Sequence, residues 1–109
     1  MNDTGDAVEL QISEVRNSQW TEATVTVRNL RGPAFRGARF QLLDGAADVI
    51  DLELIRILWY DRTVDEIPRG HTALITLSGT GAQALRPGTL ADGFQSIEGH
   101  NGPHPGAPT

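Results

Sequence analysis

One polar stretch of this 109-residue chain concentrates the residues that could perform acid–base chemistry. Asp61, Asp65 and Glu66 lie close in sequence to Arg62 and Arg69. Paired carboxylates can act as acid and base when their environments differ. Carboxylates on a polar loop are usually solvated, however, so we predict no catalytic residue and keep a small hydrolase only as a third hypothesis.

The histidines and the absence of cysteine bear on metal binding. His100 and His104 are four residues apart in a Gly- and Pro-rich end, where no ordered neighbours would orient them toward a metal. His71 follows a turn glycine and is most simply the first residue of a strand. Without cysteine the chain has no disulfide or thiolate site, which is typical of a cytoplasmic protein. We predict no metal and no cofactor.

Four closely spaced arginines form a candidate basic surface. Arg28, Arg31, Arg36 and Arg39 could make a strip across one hairpin and contact RNA phosphates, or they could be an ordinary solvated face. The formal net charge of −5 opposes attraction to nucleic acid or an anionic membrane. This balance favours a protein partner over RNA.

Two adjacent aromatic residues form the second candidate surface. Trp59 and Tyr60 are flanked by Arg56 and Arg62. Neighbouring strand residues point to opposite faces, so we expect one of the two aromatics to be exposed unless the strand bulges. Exposed aromatics beside arginine suit protein binding or base stacking. The predicted binding residues are Arg28, Arg31, Arg36, Arg39, Trp59, Tyr60 and Arg62.

The elements that must position these residues show a period of two, which is typical of strands. Val8, Leu10 and Ile12 alternate with polar residues, as do later runs. The run over residues 49–60 changes phase partway, which indicates a bend or bulge. Gly- and Pro-containing turns separate the runs. Short helical turns are predicted only over residues 63–67 and 82–85.

This pattern predicts one all-β domain: a closed, six- or seven-stranded antiparallel barrel with Greek-key-like connections. We predict a flexible lead-in over residues 1–7, the barrel over 8–98, and a disordered tail over 99–109, which contains three Gly and three Pro. The acidic first residues show no secretory signal, and no apolar run is long enough to span a membrane.

A series of glycines and arginines supports a more specific comparison. The features are Arg28, Arg31-Gly32, Gly37 leading to Phe40, then Gly70, Gly79, Gly88 and a closing Thr89-Leu90 strand. Over roughly residues 8–90 this arrangement resembles the second domain of translational GTPases such as elongation factor Tu, here without the GTPase domain. A chain without lysine cannot contain the phosphate-binding G-x-x-x-x-G-K-[ST] motif, so no nucleotide is expected. We expect Gly37 and Gly88 to be turn glycines with positive φ.

The resemblance also has implications for function. In elongation factor Tu this domain helps to hold the aminoacyl end of tRNA with acidic side chains. The first pair of acids falls on Ser13 and Glu14, and the middle glutamate falls near Ile57, so one acid remains. The leading hypothesis is therefore a non-catalytic binding or docking module that engages a protein partner. The alternative is an accessory protein of translation that binds RNA or the tRNA end.

Overall fold

The computed structural model describes residues 7–43, 50–85 and 95–101. These residues form strands and a single 3-10 turn, Ala82–Ala84, and among them no helix is long and apolar enough to cross a membrane. The strands are β1 (Ala7–Ser18), β2 (Glu22–Arg31), β3 (Ala34–Phe35), β4 (Arg39–Leu43), β5 (Asp51–Trp59), β6 (Arg62–Val64), β7 (Glu66–Ile67), β8 (Thr72–Thr80) and β9 (Ser96–His100).

Six strands close into a ring. The order is β4-β9-β1-β2-β8-β5, and pairing of β5 with β4 completes the circle; every pairing is antiparallel. The neighbours β2–β8 and β9–β4 are not consecutive in the chain, which is the Greek-key feature. The predicted closed all-β barrel is therefore confirmed, with six strands in the ring. Strand β6 pairs with the end of β5 outside it, and β3 pairs with β7 in a separate small sheet.

The barrel interior is filled by the apolar residues of the period-two pattern. On β1 these are Val8, Leu10 and Ile12, and corresponding residues on the other strands complete the core. The predicted irregularity in the fifth strand is confirmed. A bulge between Leu54 and Arg56 shifts the register against β8, so Leu54 and Ile57, three residues apart, both point inward.

Two local predictions are tested by the strand assignments. Residues 63–67 were expected to form a helical turn, and this is wrong: they belong largely to β6 and β7, because β6 pairs with the end of β5 across a two-residue turn and β7 pairs with β3, which is distant in sequence. The turn over residues 82–85 is confirmed as a 3-10 turn. Gly37 has φ of 100°, as expected, whereas Gly88, Thr89 and Leu90 lie outside the described residues.

The predicted tail boundary at residue 99 is also wrong. Strand β9 runs through it and is seated between β1 and β4, where Gly99 pairs with both Val8 and Phe40. Asn101 is buried, accepts a hydrogen bond from Phe35 N (2.9 Å) and donates one to Pro33 O (2.9 Å). Backbone pairing from both sides orders a segment that is poor in apolar residues. The barrel also includes Ala7, while residues 102–109 lie outside the described part.

Gly99 provides a direct test of this closure. A Cβ at this position would collide with the Arg39 carbonyl and the Phe40 Cα, both of them backbone groups that cannot rotate away. We expect Gly99→Ala to lower the free energy of unfolding by about 1–3 kcal/mol, as measured by denaturant titration. The matched control is deletion of residues 102–109, for which we expect a loss below about 1 kcal/mol. An unchanged midpoint for Gly99→Ala would contradict the seating of β9.

Candidate functional site

The turn between β5 and β6 is built in an unusual way. Trp59 pairs with Arg62, so Tyr60 and Asp61 are the two residues of a hairpin turn. Their φ values are 52° and 65°, the combination found in type I′ turns, which usually contain Asn-Gly because side chains disfavour positive φ. Tyrosine lacks the short polar side chain that makes Asn and Asp tolerant of this region. The hairpin therefore stores backbone strain at Tyr60.

This turn places both predicted aromatics at the surface. Tyr60 is 83% exposed and Trp59 is 39% exposed, and their rings meet edge-on with centroids 4.9 Å apart. The strand alternation rule does not apply to Tyr60, because the residue lies in the turn rather than in the strand. We call Trp59, Tyr60, Asp61 and Arg62 the hairpin tip.

Two depressions flank the Trp59 ring. The strand-face groove, about 470 Å³, lies over the outer surface of β2, β8 and β5, with Leu58 and Leu74 among its lining and Arg16 and Asp61 as its charged residues. The second depression is about 360 Å³, and we call it the aromatic–acid cleft. Its lining residues are Trp59, Val64, Asp65, Glu66, Pro68 and His71. The Trp59 and His71 ring centroids are 5.9 Å apart.

Buried Asn29 holds the wall of the aromatic–acid cleft in place. Its side-chain amide donates to Gly32 O and Ile67 O, the latter at 2.8 Å, and its Oδ1 accepts from Arg31 N at 3.0 Å. Its backbone bonds to Gly70 N (2.8 Å) and His71 O (2.9 Å). Asn29 was not predicted from the sequence. The sequence does contain a signal: Asn29 lies two residues after Val27, so it falls on the inward-facing side of β2, where the other residues are apolar and a buried amide needs hydrogen-bond partners.

The four arginines of the predicted strip do not share one hairpin, so that part of the prediction is wrong. Arg28 and Arg31 are on β2 and Arg39 is on β4, with β1 and β9 between those strands. Arg39 lies 3.3 Å from Asp51 and 3.4 Å from Glu53, and Arg36 lies 3.4 Å from Asp65. Carboxylates therefore neutralise two of the four cations. The binding role of the arginines stays a prediction.

The residues suggested by the tRNA-binding comparison have other contacts. Glu14 Oε1 accepts from Arg16 at 3.1 Å and from the Thr26 hydroxyl at 3.4 Å. Ser13 donates its hydroxyl to Thr26 O at 3.0 Å. Ile57, the position of the missing glutamate, is fully buried in the core. A carboxylate at that position would point into the barrel interior instead of toward a ligand.

The residues considered for catalysis or metal binding are dispersed. Asp61, Asp65 and Glu66 are all exposed, and Asp65 faces Arg36. His71 lies beside Trp59, and His100 is at the end of β9, while His104 is outside the described residues. Within residues 7–43, 50–85 and 95–101, no three His, Asp or Glu side chains are grouped to hold a metal ion.

Known structures contain a similar fold. This chain is similar to translation elongation factor SelB from Methanococcus maripaludis, both in its apo form and in complex with the GTP analogue GPPNHP. In each comparison the TM-score is 0.66 with 12% sequence identity, covering 89% of this chain and 20% of the SelB chain. The chain thus spans about a fifth of the length of SelB. No family model and no curated protein sequence matches it. The resemblance to the translation-factor barrel is confirmed at the level of fold.

The strained turn yields a stability prediction. Replacing the turn pair through Tyr60→Asn together with Asp61→Gly installs residues that adopt positive φ more readily. We expect the free energy of unfolding to rise by about 1 kcal/mol, as measured by the denaturant midpoint at constant slope. A lower midpoint would show that contacts of the Tyr60 ring outweigh the backbone strain.

Proposed function

We propose that this chain is a non-catalytic docking module that binds a protein partner through the hairpin tip. The observation that carries the proposal is Tyr60: a large aromatic residue, mostly exposed, kept in a backbone conformation that a smaller residue would adopt more easily. Backbone strain of this kind concentrates at functional sites, where the surrounding structure maintains it. Apart from its edge-on contact with the Trp59 ring, the Tyr60 side chain is open to solvent, where a partner can reach it.

The tip also has the physical properties of a binding anchor. Tyrosine and tryptophan are the residue types that contribute most to interface energies, together with arginine, and Arg62 adjoins them. A two-residue turn between paired strands is already ordered, so little conformational entropy is lost when a partner binds. Trp59 rests against His71 and so presents its ring in a defined orientation.

A catalytic role is less well supported by the same surface. Efficient acid–base catalysis requires groups whose environments set them apart and hold them near a reacting atom. Asp61, Asp65 and Glu66 are open to solvent. The similarity to a SelB barrel provides the fold alone, so any link to translation is part of this proposal and not a property carried over from that protein.

The first test compares the proteins recovered from a nuclease-treated lysate of the source cells by three baits. The baits are the unaltered protein, Tyr60→Asn and Trp20→Ala. Single substitution Tyr60→Asn removes the anchor ring in a turn that accepts asparagine. Trp20→Ala is the matched control, since Trp20 is 80% exposed on the separate β1–β2 hairpin. We expect Tyr60→Asn to reduce recovery of the specific partner about tenfold, and Trp20→Ala to leave it unchanged, by quantitative mass spectrometry. Equal recovery with all three baits contradicts docking through the tip.

The second test addresses the RNA alternative. Arg28 and Arg31 are exposed on β2 and have no ion-pair partner within the described residues, whereas Arg36 and Arg39 face carboxylates. With net charge −5, we expect no sub-micromolar binding of tRNA or single-stranded RNA in titrations at about 50 mM and 200 mM salt. Tight, salt-sensitive binding that is lost in Arg28→Ala with Arg31→Ala would favour the RNA-binding function.

A further inference from the structure

We propose that the aromatic–acid cleft receives the guanidinium group of an arginine side chain presented by the protein partner. The inference rests on the proposed docking function and adds the chemistry that the partner must offer. The cleft lies beside the hairpin tip and shares Trp59 with it. A partner anchored on Tyr60 therefore has access to both.

The walls of the cleft suit a flat cationic group. Trp59 and His71 supply aromatic surface, with ring centroids 5.9 Å apart and planes tilted by 36°, while Val64 and Pro68 supply apolar surface. Guanidinium is planar, weakly hydrated and stacks on aromatic faces, with tryptophan the best partner. A volume of about 360 Å³ is near the small end of ligand pockets, which fits one side chain better than a folded segment.

The charges of the lining select a cation. Asp65 and Glu66 are the two acidic residues of the lining, and among the residues that the structure describes no arginine lines the cleft. Arg36 lies 3.4 Å from Asp65, but both side chains are at least half exposed, so this pair is weak. Glu66 has no ion-pair partner within the described residues. Its carboxylate can accept two N–H groups of a guanidinium, which is the geometry arginine prefers.

The fold fixes Glu66 relative to the rings. Ile67 points into the core, so its neighbour Glu66 faces outward from β7, where Glu66 pairs with Phe35 on β3. Asn29 bonds to both Ile67 O and His71 O, which sets the distance between the acidic and aromatic sides of the cleft. The site is thus ordered before the ligand arrives, which reduces the entropic cost of binding.

Other ligand types fit the cleft less well. An anion, including an RNA phosphate, would be repelled by the two carboxylates. A neutral apolar side chain would gain contact with Trp59 and Pro68 but would remove water from Glu66 without offering it a hydrogen bond, which is unfavourable. A cation with a flat apolar face meets both demands.

The test uses defined peptides instead of the unidentified partner. The ¹⁵N-labelled protein is titrated with acetyl-Gly-Arg-Gly-amide and with the same peptide carrying citrulline, a neutral isostere of arginine. We expect saturable shifts of the Trp59 indole N–H and the Val64 and Glu66 amides at millimolar peptide. The citrulline peptide should bind at least about fivefold more weakly, as expected for loss of an exposed ion pair and a cation–π contact.

Two substitutions separate the cleft from its surroundings. Glu66→Gln keeps the shape of the side chain and should weaken binding of the arginine peptide about fivefold. The matched control is Glu22→Gln, the same substitution at an exposed glutamate of β2 that does not line the aromatic–acid cleft; affinity should be unchanged. Dispersed amide spectra of both variants verify folding before titration.

The guanidinium site and the proposed docking function are tested by different results. Equal binding of the arginine and citrulline peptides, no saturable shift, or undiminished binding to Glu66→Gln each overturns the guanidinium site. Tyr60-dependent partner recovery in that case leaves the docking module in place. If the chemical shifts of cleft residues change with protein concentration in the absence of peptide, a second copy of the chain occupies the cleft. That result would also overturn the inference.

Discussion

Closure of the ring by β9 is the constraint on which the rest of the structure depends. The strand is seated between β1 and β4, and its approach to the β4 backbone is so close that only a residue without Cβ fits at position 99. Beyond it, Asn101 bonds to Pro33 and Phe35, so barrel closure also fixes β3. Strand β3 in turn pairs with β7, which carries Glu66. A segment with few apolar residues thus connects the barrel to one wall of the aromatic–acid cleft.

Buried polar side chains are the second feature that holds the structure in place. Asn29 and Asn101 are side chains whose amide groups bond to backbone atoms of segments far away in sequence. Leaving such backbone groups unpaired in the interior is unfavourable by about 1–3 kcal/mol each, whereas the net gain from making the bond is smaller. The two asparagines therefore specify where the irregular segments lie more than they add to stability. The position of Pro68 and His71 beside Trp59 follows from this local order.

Local features of the fold could be predicted from the sequence, whereas features that depend on long-range strand pairing could not. The alternation of Val8, Leu10 and Ile12 indicates an inward strand face by itself, and the phase change before Ile57 indicates the bulge that the register confirms. Strand β9 was missed because its order comes from pairing on both sides, which composition does not reveal. The arginine strip failed for a similar reason: β2 and β4 are close in sequence but separated by two strands in the ring. Asn29 was predictable in principle, since an amide in an inward apolar series must find partners.

The charged groups around the ring differ in whether they have an ion-pair partner. Arg39 is paired with Asp51 and Glu53 across β4 and β5, so its positive charge is neutralised and one negative charge remains there. At the end of β5 beyond the bulge, Trp59 and Tyr60 are exposed, and Glu66, which lines the cleft with Trp59, has no ion-pair partner among the described residues. The bulge that lets Leu54 and Ile57 both fill the core also sets the direction in which β5 continues to its turn. The bulge therefore sets which residues of β5 fill the interior, whereas the turn accounts for the exposure of Tyr60, and its strain is tolerated because paired strands on both sides hold the turn.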